Sequence, residues 1–241
     1  MSYFESRLKV DFEDLKEIEK RLTFCEKLDL KNLILEPKND VKTISESYKK
    51  IIENLSNINI YYRYTLKPKN LQDFRKRIKD FSKYSEILSI ETPNKEIQIH
   101  AARDSRVDLI SFSHPEILKT LSTGVISLAK QNKKFIEFSL GPIIVDNKSI
   151  QSKNFRHLYR FIQKVRKLKA DYIISGDFDE LFDIRHPRAL MSICNTLLDI
   201  PLEELKKIFK ENPLKLLRRI KKKRDNKILE NGVRIIRNGG F

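Results

Sequence analysis

Apolar positions along the chain change period repeatedly, from strand-like runs to spacings of three and four. YFESRLKV (3–10) reads as a strand. Phe12, Leu15, Ile18, Leu22, Cys25 and Leu28 then recur as one face of an amphipathic helix. NLILEP (32–37) is an apolar strand stopped by proline, and Ile44, Tyr48, Ile51 and Leu55 mark the next helix. INIYYRYTL (58–66) is a third strand, rich in Tyr and Ile, and Leu71, Phe74, Ile78 and Phe81 give a third helix. The rhythm continues through SEILSIET (85–92), VDLISFS (107–113), KFIEFSL (134–140) and DYIISG (171–176). Helices are predicted between these runs, near 95–102, 115–131 and 150–168.

Strands alternating with helices imply parallel pairing and right-handed crossovers. Seven such units before Gly176 favour a closed or nearly closed α/β barrel of the TIM type, with seven or eight parallel strands. A doubly wound open sheet is the alternative. No G-x-G-x-x-G or Walker-type loop follows any strand, which weakens the open nucleotide-binding option.

The pattern changes after Gly176. Pro187 opens a helix through Leu197, and a further helix covers 201–211. Asn212-Pro213 reads as a cap and first-turn proline that start LKLLRRIKKKR. KILENGVRII carries Asn231-Gly232 between apolar arms, a two-residue hairpin signal. Residues 1–200 are assigned to the barrel. Residues 201–241 form a basic extension expected to pack on it.

Charge sharpens this division. Lys and Arg number 49 against 33 acids in 241 residues, a net charge of +16. Residues 201–241 hold 13 of these cations against 5 acids. A pI near 9.7 points to a polyanionic partner, nucleic acid or anionic membrane, with generic solubility as the bland reading. There is no apolar run of eighteen residues for a membrane span, and MSYFESRLKV lacks the apolar core of a signal peptide. Cys25 and Cys194 fall on apolar helical faces, as reduced core residues of an intracellular, cytoplasmic protein do.

Candidate chemistry concentrates in SGDFDELFDIRHPRAL (175–190). Asp177, Asp179, Glu180 and Asp183 are oxygen donors suited to Mg²⁺, or else caps and ion-pair partners. The four histidines, His100, His114, His157 and His186, are scattered, so no metal site is assigned. No G-x-S-x-G elbow anchors a hydrolase triad, and no catalytic residue is assigned. The arginines are more informative. Arg103 and Arg106 lie in a loop feeding a strand, and Arg185 and Arg188 flank a helix start that offers free N–H groups to an anion. The competing role for Arg185 is an ion pair with Asp183 that locks the loop. Arg218, Arg219, Lys221, Lys222 and Lys223 add a basic run.

Three stretches in order resemble a known family: RVDLISF (106–112), FIEFSLGPII (135–144) and ISGDFDELFDIRHPRAL (174–190). The chain resembles the archaeal ribonuclease P protein component 3 family, counterpart of the eukaryotic thirty-kilodalton subunit. It departs from the family pattern at Asp177, where a small residue often follows Ser-Gly, and at Ala189, where an acid often follows Pro-Arg. The resemblance implies a barrel related to the polymerase-and-histidinol-phosphatase barrels without their metal centre. It implies a non-catalytic, RNA-binding subunit of the ribonucleoprotein that removes the 5′ leader from precursor tRNA. Its partners would be ribonuclease P RNA, precursor tRNA, component 2 and the other ribonuclease P proteins, with no membrane. Catalysis would belong to the RNA and its Mg²⁺, with no cofactor on the protein. Arg103, Arg106, Arg185 and Arg188 would face RNA. The alternatives are a stand-alone metal-dependent phosphoesterase on the same barrel and a general basic RNA-binding protein.

Overall fold

The computed structural model describes residues 3–39, 44–81, 86–224, 228–230 and 233–234. Seven parallel strands run in chain order: β1 (Phe4–Val10), β2 (Asn32–Pro37), β3 (Asn59–Leu66), β4 (Ile87–Glu91), β5 (Leu109–Phe112), β6 (Phe135–Ser139) and β7 (Tyr172–Ser175). Consecutive strands pair, and a parallel bridge between Leu8 and Phe178 draws the last strand towards the first. The sheet is a nearly closed barrel with helices outside. Between the strands lie α1 (Leu15–Lys27), α2 (Glu46–Glu53), α3 (Leu71–Phe81), α4 (Lys95–Arg103), α5 (Pro115–Leu118), α6 (Thr123–Gln131) and α7 (Lys148–Leu168).

The longer of these helices start where the sequence offers a cap. Asp14, Ser45, Asn94 and Asn147 accept first-turn N–H groups of α1, α2, α4 and α7. The single helix expected over 115–131 is two. Ser122 accepts the Val125 N–H and starts α6 afresh after α5 ends. On α2 the expected apolar face is rotated: Ile52 and Lys49 are buried and Ile51 is exposed.

After β7 come α8 (Pro187–Leu198), α9 (Leu202–Lys206) and α10 (Asn212–Arg224). Leu190, Met191, Cys194 and Leu198 of α8 enter the outer core; Cys25 and Cys194 are both free and buried. Asn212 is not a helix cap, contrary to the expectation above. A π turn, Lys207–Glu211, joins α9 to α10 with Asn212 in helical conformation. Pro213 cannot donate to the carbonyl four residues back, and the wider turn relieves that conflict. The Asn212 side chain instead donates to the Tyr172 carbonyl at 2.7 Å. β8 (Ile228–Glu230) and β9 (Val233–Arg234) pair antiparallel, as the hairpin signal requires, while the Asn231-Gly232 turn itself lies outside the described residues.

Strand alternation divides the core in two. Outward residues such as Leu33, Leu35, Ile90, Ile136 and Phe138 pack under the helices. Inward residues at the strand starts, Phe4, Ile34, Ile87, Leu109, Phe135 and Ile173, form a separate apolar ring. Leu216 and Ile220 of α10 join this ring and close the barrel floor. The basic helix is therefore amphipathic: its apolar face plugs the barrel, while Arg218, Lys221 and Lys222 are exposed and Arg219 is half-buried.

Candidate functional site

Above the apolar floor, the inward positions of the barrel are polar. Arg7 and Arg63, at 0% and 1% exposure, are the largest fully buried side chains. Arg7 donates to Glu36 at 2.7 Å, to Glu91 at 2.8 Å and to Ser111 at 3.2 Å. Arg63 grips Glu137 through two bonds of 2.7 and 2.9 Å, and donates to Ser89 and Thr65. Its Nε lies 2.9 Å from Glu36. Ser175 donates to Glu137 and Ser113 to Glu91, so the carboxylates are well supplied with donors. A bidentate Arg–carboxylate fork is the geometry best able to offset burial of two charges.

Asp177 completes the network from the top of β7. Its Oδ1 lies 3.0 Å from both Arg7 Nε and Lys9 Nζ. Its backbone is left-handed (φ 56°), a conformation Asp tolerates through its short polar side chain. Gly176 before it is sterically required, since a Cβ there would sit 2.0 Å from the Phe178 ring. Asp177, the first acid of the 175–190 stretch, is thus part of the barrel interior. This network was missed from the sequence.

The electrostatics follow from burial against pairing. Burial pushes Glu36 up, but Arg7 and Arg63 overrule it and hold the carboxyl at about 2. The same contest leaves Glu137 below its ordinary value. Burial wins at Glu5, which has no ion-pair partner among the described residues. Its carboxyl rises to about 8 although it accepts the Arg7 and Gly176 N–H groups. Burial also raises Asp177 despite Arg7 and Lys9.

At the strand ends, Lys9, Lys67, Glu91, Ser113, His114 and Asp177 help line a pocket of about 320 Å³. This is where a TIM-type barrel places its chemistry. The donor set does not suit a metal. Glu36, Glu91, Glu137 and Asp177 already face Arg7, Arg63 or Lys9, and among the described residues no group of three or more His, Cys, Asp or Glu could hold an ion. Of the four histidines, His114 reaches this pocket, and there its Nδ1 accepts the Glu116 N–H and caps α5.

The arginines singled out from sequence fall elsewhere. Arg106 precedes β5 at the floor end, and its fork is closed on Asp104 at 2.6 and 2.9 Å. Arg103 ends α4 in the same region and is exposed. Arg185 does not pair with Asp183: it donates to the Phe182 and Ile184 carbonyls, so it braces its own loop through backbone. That loop descends the flank of the barrel. Arg21 reaches the Asp179 carbonyl, and Phe182, 76% exposed, meets Phe24 edge-on at 6.1 Å. His186 then caps α8, its Nδ1 accepting the Arg188 N–H at 3.0 Å. Arg188 consequently emerges near the floor, in a cleft of about 210 Å³ shared with Tyr3, Asp29 and Lys31.

The C-terminal helix lies at that same end. Lys215 pairs with Asp171 at 2.5 Å, and Arg219 donates to the Lys133 carbonyl. Arg103, Arg106, Arg188, Arg218, Arg219, Lys221 and Lys222 are thus gathered around the floor, while Arg185 stays on the flank. The Lys223 side chain lies outside the described residues. Among the described residues, no helix is long and apolar enough to cross a membrane.

Comparison with known proteins agrees with this architecture. The model of the family described as RNase P subunit p30 matches residues 4–225. Ribonuclease P protein component 3 of Methanococcus maripaludis (strain C5 / ATCC BAA-1333) is 26% identical over 176 residues, covering 71% of this chain and 73% of that one. A chain in a cryo-EM structure of archaeal ribonuclease P with mature tRNA superposes with a TM-score of 0.79 at 17% identity, over 99% of this chain and 100% of that one. The phosphotriesterase homology protein of Escherichia coli, solved with phosphate in its active site, shares the barrel at a TM-score of 0.57 and 10% identity, over 90% and 98%. With the family model spanning nearly the whole barrel and its floor helix, the chain belongs to the RNase P subunit p30 family.

Proposed function

We propose that the chain is a protein subunit of ribonuclease P that binds and orders the RNA of the particle, and that it does not itself cut precursor tRNA. The observation that carries this reading is the family match over residues 4–225. The site chemistry supports it. A phosphoesterase on this barrel needs carboxylates and histidines open to metal at the mouth, whereas here the carboxylates are bound to internal cations. Any Mg²⁺ then comes with the catalytic RNA, and the protein needs no cofactor.

The RNA-facing surface on this reading is the floor. Arg103, Arg188, Arg218, Arg219, Lys221 and Lys222, with Lys223 from the sequence, supply phosphate contacts there, and Arg185 extends them along the flank. Arg106 contributes less than its sequence position suggests, because its fork is closed on Asp104. The partners on this reading are ribonuclease P RNA, precursor tRNA, component 2 and further ribonuclease P proteins, in the cytoplasm and away from membranes.

Reconstitution tests the proposal. Precursor tRNA is incubated with ribonuclease P RNA, Mg²⁺ and the companion proteins, with or without this chain. Cleavage at the mature 5′ end should rise when the chain is added, while the chain alone with Mg²⁺, Mn²⁺ or Zn²⁺ hydrolyses neither RNA nor phosphate monoesters. A metal-dependent turnover that stays with the chain through repurification, and disappears on substitution of Asp177 or His114, would establish the phosphoesterase instead.

A further inference from the structure

We propose that one face of α7 is a second RNA-docking surface, which carries a phosphate backbone from the barrel floor up the flank. The inference rests on the reading of the chain as an RNA-binding subunit. It concerns residues outside the floor surface and outside the loop 175–190.

The helix is unusual in composition. Its 21 residues include seven Lys or Arg and no Asp or Glu. Surface helices ordinarily mix signs, because acid–base pairs three or four residues apart support the helix. Here Lys153, Arg156, Arg160, Lys164 and Lys167 fall within an arc of about 80° at 3.6 residues per turn. The stripe extends about 21 Å at 1.5 Å per residue. Lys153, Arg156, Arg160 and Lys167 are exposed, and Lys164 is half-buried over the Phe161 ring at 4.7 Å, which leaves its charge intact.

None of the five forms an ion pair among the described residues. Other cations of the chain do: Arg166 of the same helix is paired with Glu204, Arg106 with Asp104 and Lys215 with Asp171. Glu116 feels Lys153 but is already paired with Lys119 at 2.5 Å. The uncompensated field reaches His157, whose pKa is lowered by burial and by Lys119, Lys153, Arg156 and Arg160. A row of like charges without partners raises the energy of the isolated chain and lowers that of a complex with a polyanion.

Position selects the occupant. The lower end of α7, where Lys130 donates to the Leu168 carbonyl and Arg166 to the Asp199 carbonyl, abuts the floor elements. The stripe therefore continues the basic floor, and a polymer of regularly spaced phosphates can satisfy both surfaces at once. RNA is such a polymer.

The test uses the full chain with all five residues changed to Gln, titrated against transcribed ribonuclease P RNA over a range of salt. Each phosphate neutralised adds roughly 0.7–0.9 to the slope of log K against log salt, so the variant should flatten the slope by about 3.5–4.5. Its melting temperature should change little, since among the described residues the five side chains have no ion pair to lose, only the contact of Lys164 with the Phe161 ring. The charge-keeping variant K153R/K164R/K167R should bind as the wild type does. In the wild type, Lys153, Lys164 and Lys167 should be protected from acetylation by bound RNA, a measurement that needs no variant to fold.

Steep wild-type binding with an unchanged slope in the Gln variant, or with these lysines unprotected, would overturn the stripe while leaving the RNA-binding reading intact. Failure of the wild type to bind the RNA at all would remove that reading and the stripe together. Tighter retention on phosphatidylserine vesicles than on RNA, lost in the Gln variant, would assign the stripe to lipid and reject the proposal.

Discussion

Arg63 offers the sharpest test of the barrel interior. Replacing it with Met keeps most of the volume and removes the charge. Arg7, Arg63 and Lys9 face Glu36, Glu91, Glu137 and Asp177, so three cations meet four carboxylates. Without Arg63, two cations meet four carboxylates, and Glu137 loses both bonds of its bidentate grip. Breaking a buried pair by removing one partner costs about 3–5 kcal/mol. For a chain of this size that is a fall in melting temperature of roughly 6–20 °C, at about 2–4 °C per kcal/mol. Adding Glu137→Gln restores the original excess of one carboxylate. The double variant should therefore recover a substantial part of the loss, although it carries two substitutions. Thermal and urea unfolding of wild type, both singles and the double supply the cycle. A loss below about 1 kcal/mol for Arg63→Met, or a double variant no more stable than Arg63→Met, would refute the view that charge pairing organises the interior. RNA affinity of the folded fraction should not change, because Arg63 is inside the barrel.

Three further outcomes are expected. Glu5 titrates at about 8 in the folded chain and near 4.5 unfolded, so the native state holds the extra proton between these values. Stability should accordingly fall as pH rises through that window, by about 1.4 kcal/mol per unit from this group, and Glu5→Gln should remove that component of a urea-unfolding pH series. Leu216→Ala should cost about 2–5 kcal/mol by opening the floor, measured by chemical unfolding; a neutral result would mean that α10 does not plug the barrel. Gly176→Ala places a methyl within 2.0 Å of the Phe178 ring, so soluble expression and melting temperature should both drop, and a Phe178→Leu background should relieve the clash.

The strands were legible because each is a short apolar run between turn signals, and the observed ends lie within two residues of the expected ones. The interior network left a trace that could have been followed. A single charge interrupts LILEP, YYRY and FIEFS at the position that alternation turns inward, namely Glu36, Arg63 and Glu137. What alternation cannot supply is the partner. Arg7 and Glu91 are 84 residues apart and meet only because the barrel curls on itself. The position of Arg188 was illegible for a related reason. A helix that follows a strand is expected to start at the mouth, but the segment after Asp177 runs down the flank first, held by Arg21 and Phe24. Asn212-Pro213 misled because a cap signal and a π turn share the same residues.

The floor has a consequence for how the chain is made. Phe4 leaves the ribosome more than 200 residues before Leu216 and Ile220, which cover it. At about 5–20 residues per second, Phe4 waits roughly 10–40 s for its lid, and the ring, which is complete only with Ile173, waits about 2–9 s. During synthesis the nascent barrel therefore stays open at an apolar end until α10 packs beneath it.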